Sequence, residues 1–183
     1  MKKRIVAGVL LAFSFGASRI VYRFYLSESL VPDTTHIRPY EPEDYSHITK
    51  IFSENFYALT ANPDFDIDLM LTKQTPNKYE RKYFGKLNTA VFLQDAVPVG
   101  FVSYYMRSSH KGLVLFLAVD EAYRGKGFSK KLLQYAMYQL KQMGATVIKI
   151  ATRSENNIAQ NIYSKFFKKE YEQDGFVHYR KDT

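Results

Sequence analysis

The stretch RGKGFSK, Arg124 to Lys130, joins an apolar run to an amphipathic one and carries the residue types that bind phosphate groups. The first backbone N–H groups of a helix lack intrahelical acceptors and carry partial positive charge, so a loop that opens a helix attracts anions. Gly125 and Gly127 let the backbone approach a ligand with no Cβ in the way, while Arg124 and Lys126 add positive charge. The stretch therefore indicates a diphosphate site formed by Arg124, Gly125, Lys126, Gly127, Phe128, Ser129 and Lys130.

The same letters also fit a plain strand-to-helix turn, in which the glycines only shape the backbone and the charges are solvated. The loop matches neither G-x-G-x-x-G nor G-x-x-x-x-G-K-[ST], so the sequence lacks the fingerprints of dinucleotide-binding and P-loop domains. The binding interpretation therefore depends on residues elsewhere in the chain.

A second pair of chemically useful residues lies in NNIAQNIYSKFF, Asn156 to Phe167. Asn156 and Tyr163 are seven residues apart, about two helical turns, so they share one helix face and can address one extended ligand. Ala159 lies between them on that face and leaves room for the ligand to pass. Asn156 also fits a helix N-cap, and Tyr163 also fits a core tyrosine in a chain with 15 tyrosines.

The elements that must position these residues alternate between strand and helix. The run KGLVLFLAVD is almost wholly apolar, which predicts a central strand covered on both faces. A helix is expected over Phe128–Gln142, closed by Gly144, followed by a strand over Thr146–Thr152 and a helix over Asn156–Lys165.

The rest of the pattern predicts further elements of a mixed α/β domain. HIRPY reads as a first strand, and Pro42 opens a helix with acids in its first turn. A second helix is expected from about Asp64 to Leu71, and a hairpin turns at Asp95-Ala96. A terminal strand is expected near Gly175–Arg180, and the polar connection KQTPNKYERKYFGK carries no assignment.

Taken together, these motifs resemble the GNAT superfamily of acetyl-CoA-dependent N-acetyltransferases. The family's loop pattern [RQ]-x-x-G-x-[GA] matches Arg124 and Gly127, with Ser129 in the last place as a departure. Its later pattern N-x-x-A-x-x-x-Y-x-x-x-F matches Asn156, Ala159, Tyr163 and Phe167, with Phe166 where glycine is common. The resemblance runs from about His36 to Arg180. It implies an α/β (α+β) GNAT fold, a mixed central sheet with a splayed central strand pair flanked by helices.

The resemblance also implies roles for individual residues. A bulged segment at Leu117, Ala118 and Val119 would splay the central strand and leave amides free to bind pantetheine and polarise the thioester carbonyl. Residues 125–130 would hold the pyrophosphate. Asn156 would contact acetyl-CoA, and Tyr163 would donate the proton to the departing thiolate.

The general base is where the sequence departs from relatives that acetylate protein N-termini. Those relatives carry Glu five residues before the position of Asn156, and this chain has Ala151 there. His110, Glu54 and Tyr104 are alternatives that spacing does not separate. An acceptor pocket lined by Phe101, Tyr104 and Tyr105 is expected on the hairpin, although alternating core residues explain that group equally well.

Composition excludes several classes of protein. The 183 residues carry 26 Lys and Arg against 18 Asp and Glu, a net charge of +8 that favours an anionic partner. Cysteine is absent, which excludes disulfides, thiolate metal sites and a Cys nucleophile. The four histidines have no metal-binding spacing, so no metal is expected. Basic residues do not interleave with aromatics in a run, so no nucleic-acid partner is expected.

The pattern of residues 1–26 indicates a segment separate from the domain. Three basic residues precede thirteen uncharged, mostly apolar residues, Ile5 to Ala17, which fits a signal peptide or a short membrane anchor. A plain buried helix is the alternative. The expected organisation is a hydrophobic signal or anchor at 1–26, a linker at 27–35 and an N-acetyltransferase domain at 36–183. Residues 4–26 would attach the chain to a membrane with the domain on the cytoplasmic side, and export after cleavage is the alternative.

The resulting expectation is an enzyme that transfers the acetyl group of acetyl-CoA to a primary amine, on a small molecule or a protein, by direct attack in a ternary complex. Two other functions stay open: a catalytically silent module that binds CoA or acetyl-CoA, and a scaffold at a membrane. Turnover with amines separates the first from the second, and CoA binding separates the second from the third.

Overall fold

The apolar run that precedes the basic loop forms the middle strand of a seven-stranded mixed sheet. The computed structural model describes residues 32–73 and 86–183 of the chain. The expected anchor, most of the linker and nearly all of the unassigned polar connection lie outside the described residues. The strands are β1 (Ile37–Pro39), β2 (Asn88–Gln94), β3 (Val97–Met106), β4 (Lys111–Val119), β5 (Val147–Arg153), β6 (Lys168–Gln173) and β7 (Phe176–Asp182).

The strand order in the sheet is β1-β2-β3-β4-β5-β7-β6. Every neighbouring pair is antiparallel except β4 and β5, which run parallel. The helix that parallel pairing requires as a crossover follows the basic loop. Five helices accompany the strands in the described residues: α1 (Tyr45–Glu54), α2 (Phe56–Leu59), α3 (Ile67–Lys73), α4 (Phe128–Gln142) and α5 (Asn157–Tyr163).

The helices cover the two faces of the sheet and make a separate apolar cluster on each. On one face, α4 and α5 pack with Leu132, Leu133, Ala136, Leu140 and Tyr163 in the core. On the other face, α1 and α3 pack with Ile48, Ile51, Phe52, Met70 and Leu71. These side chains recur at three- and four-residue intervals, which places them on one side of each helix. The sheet is therefore covered on both faces, as the apolar β4 predicts.

Local sequence explains several of the boundaries. Asp95 and Ala96 have φ of 51° and 64°, the left-handed pair that a two-residue hairpin turn requires, at the predicted position between β2 and β3. Gly144, with φ of 95°, follows the end of α4 as predicted. The mixed α/β fold with helices on both sides of the sheet is confirmed.

Two of the helix boundaries expected from the sequence are wrong, and one strand was not predicted. The helix expected from Asp64 begins at Ile67, and the helix expected over Asn156–Lys165 is shorter, Asn157–Tyr163. The strand that was not predicted is β6, because all of its residues are exposed on an edge strand and the run KKEYEQ shows no alternation of apolar and polar residues. No helix within residues 32–73 and 86–183 has the length and apolar character needed to cross a bilayer.

Candidate active site

The two parallel strands at the centre of the sheet separate after a short ladder. β4 and β5 pair at Lys111 with Val147, Gly112 with Ile148, and Leu113 with Lys149, and the ladder ends there. The register of β4 against β3 shifts between Val114 and Phe116, so Leu115 is the extra residue of a bulge. The bulge bends β4 away from β5, and a wedge-shaped cleft opens between the carboxyl ends of the two strands.

The position of this bulge corrects the sequence-based expectation. Leu117, Ala118 and Val119 pair regularly with β3, opposite Val102, Phe101 and Gly100, and the irregularity lies at Leu115 instead. The segment still exposes backbone donors to the cleft. The Asp120 amide donates to the Val99 carbonyl of β3. Successive residues of an antiparallel strand direct their backbone N–H groups alternately to one neighbouring strand and to the other side. The amides of Val119 and Leu117 therefore face the cleft.

The basic loop that follows β4 presents a row of unpaired amides. A 3₁₀ turn at Glu121–Tyr123 leads into Gly125 and Gly127, whose φ values are 78° and 82°. The first helical bond of α4 runs from the Lys131 amide to the Gly127 carbonyl. In the part of the chain that the structure describes, no acceptor reaches any backbone amide from residue 125 to residue 130. The space beside both glycines is open, because a Cβ on either would meet no atom within 4 Å. A diphosphate fits this arrangement.

The side chains of the loop differ in how far they are engaged. Lys126 lies 4.9 Å from the centre of the Tyr123 ring, and neither Lys126 nor Lys130 has an ion pair among the described residues. The Phe128 ring stacks on Phe92 at 4.2 Å and so anchors the start of α4 to the core. Ser129 is half-buried beside it. Both lysines are thus available to an anion on the loop.

Arg124 makes contacts that the sequence did not predict. Its Nη2 donates to Oδ1 of Asn55 at 2.9 Å, and its Nε donates to the Val119 carbonyl at 3.4 Å. The guanidinium therefore connects the loop to the residue that separates α1 from α2. A role for Arg124 in binding the diphosphate remains a prediction.

The far side of the cleft is formed by the start of α5. Asn156 is the N-cap of this helix, and its Oδ1 accepts from the Ala159 amide at 3.1 Å. Its Nδ2 has no acceptor among the described residues, so Asn156 can cap α5 through Oδ1 and still donate to a ligand through Nδ2. Asn156, Ala159 and Tyr163 all line the cleft, as their spacing predicts.

Tyr163 is buried, with 5% of its surface exposed, yet its hydroxyl has no hydrogen-bond partner in the described residues. No fully buried side-chain oxygen or nitrogen there lacks a partner, so this hydroxyl reaches open space. Its ring meets the Tyr179 ring edge-on at 5.8 Å. Burial, with a smaller contribution from Tyr179, raises the pKa of Tyr163 well above the ordinary value of 10. The hydroxyl is therefore a neutral donor at physiological pH.

The cleft itself has a volume of about 70 Å³ and no charged lining. It is bounded by Asn55, Ala58, Leu59, Leu115, Leu117, Ile150, Ala151, Thr152, Asn156, Ala159 and Tyr163. The sequence motifs include Leu117, Ala151, Asn156, Ala159 and Tyr163. They do not include the α2 residues, because a single helical turn leaves no periodic signal. A larger depression of about 370 Å³ lies between residues 164–170 and 180–182. It contains neither the divergent strands nor the free amides, so volume alone does not identify the site.

None of the alternative bases lies in the cleft. His110 is in the loop before β4, and the open end of the cleft is at the other end of that strand. Glu54 forms an ion pair with Lys50 at 3.0 Å. Tyr104 is buried in the core on the sheet face that α4 covers. Its burial and, to a smaller extent, the neighbouring Tyr135 raise its pKa. Phe101 and Tyr105 are also core residues, so of the two interpretations of these aromatics the structure supports the alternating core residues and not the acceptor pocket. The described residues contain no group of three metal-binding side chains.

Comparison with known proteins places this geometry in a family. The family model described as the acetyltransferase (GNAT) family matches residues 45–167. Comparison with the curated proteins gives no match.

Solved structures share the fold at low identity. PaiA N-acetyltransferase from Thermoplasma acidophilum, in complex with coenzyme A, is 18% identical with a TM-score of 0.62, over 80% of this chain and 98% of that one. Ribosomal-protein-alanine N-acetyltransferase from Brucella melitensis is 17% identical with a TM-score of 0.63, over 80% and 99%. YncA from Salmonella typhimurium, with acetyl-CoA, is 17% identical with a TM-score of 0.62, over 80% and 92%.

Proposed function

The chain belongs to the acetyltransferase (GNAT) family, and on that premise we propose that it transfers the acetyl group of acetyl-CoA to a primary amine by direct attack in a ternary complex. The observation that carries this proposal is the row of unpaired amides at residues 125–130, directly beside the cleft between β4 and β5. Structures of the same fold hold coenzyme A or acetyl-CoA. We therefore assign acetyl-CoA as the co-substrate.

The two parts of the site suit the two parts of acetyl-CoA. The amides of residues 125–130, with Lys126 and Lys130, would bind the diphosphate oxygens. The amides of Leu117 and Val119 face the cleft and would pair with the pantetheine as an extra strand does. The Nδ2 of Asn156 would donate to the same arm from the opposite wall.

The proposed reaction requires only hydrogen-bond donation and proton transfer from the protein. Acetyl-CoA supplies an activated thioester, whose carbonyl carbon forms a bond to the amine nitrogen while its bond to sulfur breaks. An amide donor on β4 stabilises the charge that develops on the carbonyl oxygen. The overall reaction moves one proton from nitrogen to sulfur. Tyr163, neutral and unpaired, would donate to the sulfur as it departs and recover a proton from the amine, so its own protonation state is unchanged.

The absence of charged residues from the described lining of the cleft bears on the acceptor. Because the described residues that line the cleft include no carboxylate or histidine, the amine must lose its proton to solvent before it attacks. At pH 7 roughly one in ten α-amino groups is neutral, against about one in 2,500 lysine-type amines. The site therefore favours acceptors of low basicity, and the rate with a given amine should rise with pH up to the pKa of that amine.

The absence of charged residues from the described lining of the cleft also favours the second candidate function, a catalytically silent module that binds acetyl-CoA. The test is an acceptor screen that follows release of the CoA thiol by the full-length chain at pH 7 and pH 9. The panel should include small amines, lysine peptides and peptides that begin with alanine, since one protein of this fold is a ribosomal-protein-alanine N-acetyltransferase. Thiol release that depends on the amine supports transfer. Binding without release above the amine-free rate supports the silent module.

We further propose that residues 1–26 attach the chain to a membrane, with residues 36–183 as the catalytic domain. The support is the sequence alone, a basic start followed by an apolar run. A cytoplasmic position of the domain gives it access to acetyl-CoA. The alternative is cleavage and export.

A further inference from the structure

The depression beside the edge strand β6 carries an excess of positive charge. Residues 164–170 and 180–182 bound its volume of about 370 Å³. Five cations and two carboxylates are among these residues, so the cations exceed the carboxylates by three. A concave surface with this balance of charge favours an anionic partner.

The two carboxylates of the depression are already paired with cations. Glu170 accepts from Lys149 at 2.7 Å and lies 3.8 Å from Arg180. Arg180 also pairs with Asp182 at 2.8 Å. Three other cations around the depression have no ion pair in the part of the chain that the structure describes, and these are Lys165, Lys168 and Lys181. They are available to negative groups of a partner.

Two phenylalanines in the connection after α5 make part of the depression apolar. Phe167 is buried, with 6% of its surface exposed, and Phe166 packs partly buried against the same core. The amides of both residues donate to the Tyr163 carbonyl at 2.9 Å, so backbone bonds fix their positions. Phe166 stands where glycine is common in the motif that includes Tyr163, so its ring is apolar surface that the motif does not require. Apolar surface next to unpaired lysines fits a partner that combines an apolar group with negative charges.

The strand next to the depression has backbone groups that another chain can use. β6 is the last strand of the sheet and pairs only with β7. All of its residues are exposed, and no further backbone bond reaches it within residues 32–73 and 86–183. An edge strand leaves alternate N–H and C=O groups open to an added extended segment. A polypeptide can pair with these groups, whereas a small anion cannot form such a ladder.

The arrangement of charge also favours a polypeptide over a nucleic acid or an anionic lipid surface. Glu170, Glu172 and Asp182 lie among the lysines. These acids repel a partner whose negative charges are continuous. A polypeptide can place its carboxylates only opposite the unpaired lysines and present an apolar side chain between them.

The depression is remote from the cleft. Arg180 and Asp182 lie opposite Lys149 and Val147, at the start of β5. The cleft opens at the other end of β5, beyond its last pairing with β4. The two places are therefore separated by about the length of β5, roughly 20 Å. A segment bound in the depression leaves the cleft and the amides of residues 125–130 accessible.

We propose that this depression binds an acidic, extended segment of a partner protein. Carboxylates of the segment pair with the three unpaired lysines, an apolar side chain packs on Phe166 and Phe167, and the backbone adds to the edge of β6. This binding surface goes beyond the proposed acetyl transfer, and either can exist without the other.

The test is binding of the peptide Asp-Glu-Trp-Glu-Asp, blocked at both ends, to the full-length chain. The chain has no tryptophan, so tryptophan emission reports on the peptide alone. The blocked peptide has no amine and cannot act as an acetyl acceptor. Binding should shift the emission to shorter wavelength and weaken as salt rises. Saturating acetyl-CoA should leave the peptide affinity unchanged.

Variants of the lysines separate this surface from the acetyl-CoA site. Lys165→Ala, Lys168→Ala and Lys181→Ala should each lower the peptide affinity roughly 2- to 5-fold, and the triple variant roughly 10-fold or more. Acetyl-CoA affinity should be unchanged in all of them. Lys126→Ala is the matched control, because it removes an exposed charge beside the cleft. It should weaken acetyl-CoA binding and leave the peptide affinity as in the wild type.

Competing peptides test the apolar contact without a change in the protein. Asp-Glu-Phe-Glu-Asp and Asp-Glu-Ser-Glu-Asp, both blocked, should displace the tryptophan peptide. The serine peptide should need a concentration roughly 5-fold or more higher, because it has no apolar side chain to bury. Equal competition by the two peptides would contradict the role of Phe166 and Phe167.

Other outcomes would overturn the inference as a whole. They are absence of peptide binding, equal affinity in the folded triple variant and the wild type, and displacement of the peptide by acetyl-CoA. Oligothymidylate or phosphatidylserine vesicles that displace the peptide where the phenylalanine peptide does not compete would assign the surface to another partner and overturn it too. Loss of acetyl-CoA binding alone would contradict the proposed function and leave this inference standing.

Discussion

Leu113 and Lys149 are the last partners in the parallel ladder between β4 and β5. Beyond this pair the bulge at Leu115 turns β4 aside, and the strands never pair again along their described lengths. A parallel ladder that stops in the middle of a sheet leaves backbone donors without acceptors, which is costly unless a ligand or solvent pairs with them. This one relationship creates the cleft, and the predictions that follow concern the residues around it.

Acetyl-CoA affinity should fall as salt rises, because the diphosphate is held partly by charge. Lys126→Ala and Lys130→Ala should each weaken binding roughly 3- to 10-fold at low salt and flatten the salt dependence. Calorimetric titrations at several salt concentrations measure both quantities. Lys111→Ala, an exposed lysine at the opposite end of β4, is the control and should match the wild-type chain. A wild-type affinity that is independent of salt would count against the diphosphate assignment.

Tyr163→Phe should leave acetyl-CoA binding and folding nearly intact while turnover falls roughly 10²- to 10⁴-fold, the effect of losing a general acid. The hydroxyl has no partner in the described part of the protein, so its removal breaks no internal bond. Melting temperature, acetyl-CoA affinity and rate should be measured on the same preparation.

Tyr179→Phe is the matched control for this substitution, because the two rings are in contact and both are buried. The Tyr179 hydroxyl donates to Gln160 at 3.4 Å, so its loss should lower stability by about 0.5–1.5 kcal/mol and leave the rate per folded molecule unchanged. Full activity in a folded Tyr163→Phe chain would remove Tyr163 from the mechanism.

Asp44→Asn should destabilise the domain by about 1–3 kcal/mol near pH 6. Asp44 is buried and accepts from Arg38 at 2.7 and 2.9 Å and from the Glu41 amide at 2.9 Å. Burial alone would raise the pKa of Asp44, but these hydrogen bonds outweigh it and lower the pKa below the ordinary value of 3.8. A lowered pKa means that the stabilisation is complete above the ordinary value and is lost as pH falls through the lower folded-state value.

The difference in the free energy of unfolding between the wild-type and Asp44→Asn chains should therefore shrink as pH falls below about 3.8. Chemical denaturation at pH 6 and in acid measures it. Glu43→Gln, which changes the exposed acid next to Asp44, should have little effect. A difference between wild type and Asp44→Asn that stays constant across this range would show that the carboxylate charge is unimportant.

Much of this arrangement could be predicted from local sequence. The apolar β4, the turn at Asp95-Ala96, the glycine loop before α4 and the shared face of Asn156 and Tyr163 each follow from residues close together in the chain. Backbone preference and burial act over a few residues there, so local patterns carry the information.

The remainder depends on contacts between distant residues. The bulge at Leu115 is defined only by its pairing with β3, and the contacts of Arg124 with Asn55 and of Arg153 with Tyr57 span 69 and 96 residues. The edge strand β6 is exposed throughout, so its pairing with β7 leaves no apolar pattern. No short window of the sequence contains these relationships.

The full-length chain should fractionate with membranes or be exported, while a chain that begins at residue 27 should remain in solution. The apolar run Ile5–Ala17 and its basic flanks are the reason. Fractionation followed by mass spectrometry of the N-terminus separates an uncleaved anchor from a removed signal. An uncleaved chain found entirely in the soluble cytoplasm would contradict both versions.

The central claim is that the amides of residues 125–130 and the adjoining cleft bind acetyl-CoA, and calorimetry on Gly127→Val tests it most directly. Gly127 has φ of 82° with open space where a Cβ would point, so valine there strains the loop and fills the space that the phosphates need. Gly144→Val, at φ of 95° beyond the other end of α4, carries similar backbone strain away from the loop. We expect acetyl-CoA binding to be lost in Gly127→Val and retained in Gly144→Val, with both chains folded. Equal acetyl-CoA affinity in the folded Gly127→Val chain and the wild type would contradict the claim.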